Sequence, residues 1–243
     1  IHYNLTKMQS LKEEIDEYYL RKSGIGQGRL GSMNLFNKEK NISYASSILG
    51  NNLPVGCGFA LGIKVKNENG VVFIVTGDGA VEEGAFYESL IFLKSNSLPA
   101  VIIIENNDWS LSTKTNERRA AIDFDKLAKS LDIEYLHLQD NDPFNYHREI
   151  TLLREKALQE RTPVLVEVKL TTLGYWYMEH ADFPKGKFIN YHAGPAPEIR
   201  EMEYPLIEAS INDPLYVLKQ YLPTDELIKM SSELALLLKE EIK

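Results

Sequence analysis

A single cysteine, Cys57, stands in the whole sequence. No intrachain disulfide can form, which suits a reducing, cytoplasmic compartment. Its neighbours are small and apolar, so the thiol is expected to be buried rather than reactive. Long hydrophobic runs are also missing. The longest nearly apolar stretch, residues 53–65, contains three glycines and falls short of the roughly 20 residues needed to cross a bilayer. Positive charge is in deficit, with 27 Lys and Arg against 35 Asp and Glu. The resulting net charge of −8 offers no basic field to a nucleic-acid backbone or an anionic membrane. There is no internal repeat and no low-complexity tract. Hydrophobic residues at 44% and charged residues at 26% exclude disordered, collagen-like and coiled-coil chains. The first residue is Ile rather than Met and no signal-peptide pattern precedes the first predicted helix, so upstream residues are expected to have been removed or to lie outside this sequence.

What is present is an alternation of helical and strand patterns. Residues 6–22 place Met8, Leu11, Ile15 and Tyr18 or Tyr19 at the helix period. A glycine-rich segment follows, including GIGQGRLGSMNLF, and is expected to be irregular, with a backbone that can approach a ligand closely. VGCGFALGIKVK reads as a buried helix whose small residues allow tight packing. Next come a strand at 71–76, a helix EGAFYESLIFLKS with Phe86, Leu90 and Leu93 on one face, a strand at 100–105 and a loop NNDWSLST. IDFDKLAKSL and PFNYHREITLLREKALQE read as helices, IEYLHLQ and PVLVEVKL as strands. Strands that are apolar on both faces and alternate with helices predict an α/β fold, a three-layer doubly wound parallel sheet. Between 171 and 200 the pattern stops in a long aromatic loop, of a length that is usually functional or disordered. Asp213-Pro214 and Pro223-Thr224 are helix starts. Residues 1–200 are therefore expected to form one domain and 201–243 a helical tail packed on it.

The chemistry-bearing feature is Gly77-Asp78-Gly79 between a strand and a helix, with Asn106-Asn107 closing the next strand after 26 intervening residues. Both lie at carboxyl ends of predicted parallel strands, where doubly wound sheets bind ligands. The glycines let backbone N–H groups reach a diphosphate, and the helix that follows adds its positive end. Asp78 and the Asn107 amide oxygen are hard donors suited to Mg²⁺. Glu82 and Glu83 are expected in the first turn of that helix, favouring its dipole. The lone His137, His147 and His192 read as surface or core residues.

These residues resemble the thiamine diphosphate enzymes, whose signature is GDG followed at about this interval by NN. More narrowly, the chain resembles the alpha subunit of the thiamine-dependent first component of 2-oxo acid dehydrogenase complexes, and acetoin dehydrogenase, within the transketolase-like superfamily. GQGRLGSMNLF is similar to that family's G-x-G-G-S-M-H segment. SSILGNNLPVGCGFALGIK is similar to its aminopyrimidine segment, NNDWSLST to its metal loop and DPLYVLKQYLPTDEL to its C-terminal helices. The likeness runs from about residue 12 to the end and is weakest between Lys169 and Arg200. It implies Mg²⁺ ligation by Asp78, the Asn107 side chain and the Trp109 carbonyl. It also implies diphosphate contacts at Gly77, Gly79 and Ala80, aminopyrimidine contacts at backbone groups of Ser47 and Leu49, and an active-site role for His180 in YMEHADFP. The partner implied is a pyrimidine-half beta subunit or a fused domain, in an α₂β₂ heterotetramer or a homodimer of fused chains, acting on a small carbonyl substrate.

Two positions depart from the family pattern. Asn34 stands where the alpha subunits usually have His, which removes a titratable group from a pyruvate-type site. The family's diphosphate-binding Arg, in a His-Arg motif, would lie just upstream of Ile1. A split transketolase moving a two-carbon ketol unit stays open as an alternative, although GSMN differs from the GHxGS expected there. A cofactor-binding subunit without catalysis stays open as well.

Overall fold

The computed structural model describes residues 11–31, 36–111, 113–173, 206 and 208–241, and the backbone alone for 176–180 and 183–189. The helices are α1 (Lys12–Tyr18), α2 (Asn52–Val65), α3 (Gly84–Ser95), α4 (Thr115–Arg118), α5 (Phe124–Ser130), α6 (Pro143–Glu160), α7 (Pro214–Leu218) and α8 (Thr224–Glu241). The strands are β1 (Val72–Gly77), β2 (Ala100–Asn106), β3 (Trp109–Ser110), β4 (Thr113–Lys114), β5 (Glu134–Leu138), β6 (Pro163–Lys169), β7 (Trp176–His180) and β8 (Phe183–Ile189). A 3₁₀ turn, Ala80–Glu82, separates β1 from α3. The chain forms two compact units, one of Leu53–Glu198 with Leu206–Leu222, the other of Ile1–Asn52, Ile199–Pro205 and Pro223–Lys243.

The larger unit is built on a four-stranded sheet in the spatial order β1-β2-β6-β5, with every pair parallel. Its central strands are continuous apolar runs because both faces are covered. On one face Ile74, Ile102, Ile104 and Leu165 pack with Leu53, Cys57 and Ala60 of α2, with Phe86, Leu90 and Leu93 of α3, and with Phe124 and Ala128 of α5. On the other, Val101, Val164, Val166 and Val168 pack against Leu153 and Ala157 of α6. The three-layer expectation is met. Among the described residues no helix is long and apolar enough to cross a membrane.

Two expectations need correction in this unit. α2 is not buried all round. It turns Leu53, Gly56, Cys57 and Ala60 inward and leaves Phe59 and Val65 exposed. Tight packing is confined to the inward stripe, where a Cβ on Gly56 would lie 2.5 Å from Ile74 Cδ1. The stretch 171–200 is not loop throughout, because β7 and β8 pair as an antiparallel hairpin with Trp176 opposite Ile189. Trp, Tyr, Phe and Ile are residue types that favour strands, and they occur in both of its arms.

The smaller unit shows what the glycine-rich segment does. The buried residues of α1 are Glu14, Asp16 and Glu17 rather than the apolar stripe. Glu17 Oε2 accepts hydrogen bonds from the backbone N–H groups of Gly26 (2.8 Å) and Gly28 (2.9 Å), and Oε1 from those of Leu30 (2.6 Å) and Gly31 (3.3 Å). Four of the loop amides are therefore committed to an internal carboxylate. Gly28 has φ +73, and a Cβ there would lie 2.4 Å from the Leu20 carbonyl oxygen, so the turn needs glycine. Asp16 pairs with Arg21 at 2.7 Å, and the Tyr18 hydroxyl donates to Glu14 at 2.9 Å.

Burial pushes the Glu17 carboxyl up, but the four N–H donors outweigh it and hold the group below its ordinary value of 4.5. A depressed folded value makes the contribution fully present above pH 4.5 and lost as pH falls through the folded value. Glu17→Ala should cost about 3 kcal/mol at neutral pH, since it strands four half-buried donors at once. Chemical denaturation of the variant at pH 7 and at acid pH checks this. The gap from wild type should narrow in acid, and a gap that is constant or absent would contradict the carboxylate's role.

Candidate active site

β1 ends at Gly77, and the chain turns at once through Asp78 and Gly79 into the 3₁₀ turn. The Asp78 N–H donates to the Glu105 carbonyl across to β2 (3.2 Å), so the turn sits beside the end of the neighbouring parallel strand. Asp78 is only 2% exposed. Its Oδ2 accepts from Thr115 Oγ1 (3.1 Å) and from Arg118 Nη2 (3.0 Å). Arg118 also lies 3.3 Å from Glu82 Oε1, to which Arg119 Nε donates at 3.1 Å. Glu82 thus closes the 3₁₀ turn and is tied to two guanidinium groups, while Glu83 precedes α3 in extended conformation. The expectation that both acids line the first turn of the helix is corrected accordingly, because the chain makes a 3₁₀ turn before α3 begins at Gly84. Gly79 lies tight against the next turn, where a Cβ would fall 2.6 Å from Ser110 Oγ.

The end of β2 is shaped by its two asparagines. Asn106 Oδ1 accepts from the Asp108 N–H (3.1 Å) and Asn107 Oδ1 from the Trp109 N–H (3.0 Å), two successive Asx turns. They carry Asp108 through φ +66, a left-handed conformation that Asp tolerates better than most residues. The chain then folds back as the short β3–β4 ladder, with Trp109 opposite Lys114, whose ammonium lies 5.2 Å from the indole centroid. Asn107 Nδ2 donates to Thr172 Oγ1 (3.2 Å), which fixes the amide plane.

Behind this turn lies Glu167 of β6, buried in the sheet. It accepts from Asn106 Nδ2 (2.6 Å) on Oε1 and from the Tyr135 hydroxyl (2.5 Å) on Oε2. Burial, and then the carboxylate, push the Tyr135 phenol well above its usual range. The phenol therefore stays neutral and donates to Glu167. Tyr135→Phe should cost about 2 kcal/mol, because it leaves a buried acceptor without its donor. Thermal or urea unfolding measures this, and an unchanged midpoint would mean that Glu167 is satisfied by other means.

The structure brings Gly77, Asp78, Gly79, Ala80, Asn107 and Trp109 to the carboxyl ends of two adjacent strands. Ser47 and Leu49 belong to the other compact unit and are exposed. His180 is the last residue of β7, and its side chain lies outside the described residues, as does Asn34 altogether. Among the described residues no three His, Cys, Asp or Glu side chains cluster as a metal site. A cation here would rest on one carboxylate with amide and carbonyl oxygens, a donor set that fits Mg²⁺ with phosphate oxygens and water completing the shell. Sequence reasoning missed Thr115, Arg118, Tyr135 and Glu167, and it named Asn106 without seeing its bond to Glu167. Thr115 and Arg118 did carry a signal: three residues apart in α4, they share one helical face.

The profile of the Dehydrogenase E1 component family matches residues 2–182. The chain is 30% identical over 168 residues to the pyruvate dehydrogenase E1 component subunit alpha of Rickettsia typhi, covering 69% of this chain and 50% of that one. It is 31% identical over 159 residues to subunit alpha-1, mitochondrial, of the same component from Arabidopsis thaliana, covering 65% and 40%. The chain thus spans half or less of the length of these relatives. A transketolase structure from Campylobacter jejuni superposes on 51% of this chain and 20% of its own with a TM-score of 0.46 and 18% identity. Since the matched span takes in the whole parallel sheet together with both the Gly-Asp-Gly and the Asn-Asn turns, the chain belongs to the dehydrogenase E1 component family.

Proposed function

We propose that this chain is the diphosphate-holding half of a thiamine diphosphate- and Mg²⁺-dependent enzyme acting on a 2-oxo acid or a related carbonyl substrate. The observation that carries this reading is the buried Asp78 carboxylate on a Gly-Asp-Gly turn, set beside the Asn106-Asn107 turn at the ends of adjacent parallel strands. Asp78, the Asn107 amide oxygen and the Trp109 carbonyl would hold the metal. Gly77, Gly79 and Ala80 would hold the diphosphate, the absence of side chains on the glycines allowing close approach. Ser47 and Leu49 would offer backbone groups to the aminopyrimidine. When bound, the cofactor supplies an electron sink for the carbonyl carbon. The chain's own work is to orient, to exclude water and, at the His180 imidazole, to hold or pass a proton near neutral pH.

The other half of the site would come from a pyrimidine-half beta subunit or fused domain, in an α₂β₂ assembly or a homodimer of fused chains. Residues 1–200 would form the working domain and 201–243 its helical tail. The test is a steady-state assay of the chain reconstituted with the subunit encoded beside it, offering pyruvate, branched 2-oxo acids and ketose phosphates in turn. Turnover of a 2-oxo acid is expected. Turnover of ketose phosphates alone would contradict the assignment.

A further inference from the structure

We propose that Arg118, together with Thr115, is a positioning residue that grips one oxygen of the Asp78 carboxylate and so fixes the other for a divalent cation. This rests on the cofactor reading above and extends it to residues that reading leaves unassigned. Asp78 Oδ2 takes both of the side-chain hydrogen bonds to this carboxylate, from Thr115 Oγ1 at 3.1 Å and from Arg118 Nη2 at 3.0 Å, and Oδ1 takes none among the described residues. Arg118 is itself braced by Thr115 Oγ1 at 3.3 Å and by Glu82 at 3.3 Å. The three groups close a triangle in which the carboxylate plane has little freedom. The Asp78 side chain is buried at 3% exposure and that of Arg118 is largely covered at 13%, so solvent has little access to the grip.

One geometry follows from the bonding pattern. A carboxylate accepting two hydrogen bonds on one oxygen keeps the lone pairs of the other for a cation. Hydrogen-bonded partners of this kind fix the orientation of ligating carboxylates. A guanidinium beside the anion would also be expected to weaken a nearby cation by repulsion, which makes a competing role for Arg118 the clear opposite outcome. The Glu82 carboxylate offsets that repulsion, since it lies against both Arg118 and Arg119. Arg118 Nε and Nη1 make no hydrogen bond among the described residues, Nη1 standing 3.3 Å from Glu82 Oε1 as an ion pair only, so the hydrogen bonds of this guanidinium run through Nη2 to Asp78 and Thr115.

The test is Mn²⁺ binding in the presence of thiamine diphosphate, read from the free-Mn²⁺ resonance signal, on the chain assembled with its partner subunit. Arg118→Met should raise the Mn²⁺ dissociation constant about 10- to 100-fold, the usual loss when a ligand's hydrogen-bond partner is removed. Arg118→Lys should fall between it and wild type, because it keeps the charge and loses the fork. Thr115→Val should weaken binding in the same direction, and it decides the matter together with Arg118→Lys should Arg118→Met fail to fold. Wild-type or tighter Mn²⁺ binding by Arg118→Met, or by both Arg118→Lys and Thr115→Val, would overturn the proposal. Asp78→Asn separates the two levels. If it abolishes Mn²⁺ binding while the Arg118 and Thr115 variants do nothing, only this inference fails. If Asp78→Asn binds Mn²⁺ normally, the cofactor reading itself fails and this proposal falls with it.

Discussion

Thiamine diphosphate with Mg²⁺, at about 100 times the dissociation constant, should stabilise the assembled protein by about 2.7 kcal/mol, and Asp78→Ala should remove that shift entirely. The reason is local. Asp78 is the carboxylate of the candidate donor set, and the remaining donors are a neutral amide and a backbone carbonyl. Asp78→Ala should also lower the stability of the cofactor-free protein by about 2 kcal/mol, because it removes the carboxylate that Arg118 Nη2 and Thr115 Oγ1 hydrogen-bond and leaves Arg118 only its ion pair with Glu82. Asp78→Asn keeps the size of the side chain and separates the two effects. Calorimetric or fluorescence unfolding with and without the cofactor pair measures both. A full ligand shift in either variant would show that the metal is held elsewhere.

The second large effect is all-or-none. The isolated chain should turn over no substrate, and thiamine-dependent activity should appear when a pyrimidine-half partner is added. In the family that the sequence resembles, a glutamic acid from the other half of the site protonates the pyrimidine ring. Two acids near the present site are already committed. Glu82 is tied to Arg118 and Arg119, and Glu167 is held between Tyr135 and Asn106. Glu88 lies on the exposed side of α3. The described strands beyond the parallel sheet are two short antiparallel pairs rather than a second parallel sheet. Turnover by a purified, monomeric, partner-free sample would contradict the half-site assignment.

The sheet was legible because burial on both faces leaves a direct trace in composition. Val101, Ile102, Ile103 and Ile104 run without a polar break, alternate residues facing opposite cores. The helices that pack on it were legible where one stripe is apolar, as at Phe86, Leu90 and Leu93. α1 misled for the opposite reason. Its buried side is acidic, since Glu17 satisfies backbone amides and Asp16 pairs with Arg21, and a pattern based on apolar spacing cannot see a carboxylate that is worth burying.

The turns at the site were legible because Gly-Asp-Gly and Asn-Asn combine rare residue types with a fixed interval. Their supports were not. Arg118 reaches Asp78 from 40 residues away and Glu167 reaches Asn106 from 61, and each looks in the sequence like an ordinary polar residue. Glu167 in particular occupies what reads as one polar interruption of an apolar strand. Only the register of β6 beside β2, with Glu167 opposite Ile104, places it under the asparagine turn.

The central claim is that the end of β1 and β2 holds a diphosphate through a divalent metal, and isothermal titration of thiamine diphosphate into the assembled protein tests it most directly. Run in Mg²⁺ and again in excess EDTA, the titration should show saturable one-to-one binding per chain only when the metal is present. Equal affinity in EDTA, or no binding in either condition, would contradict it.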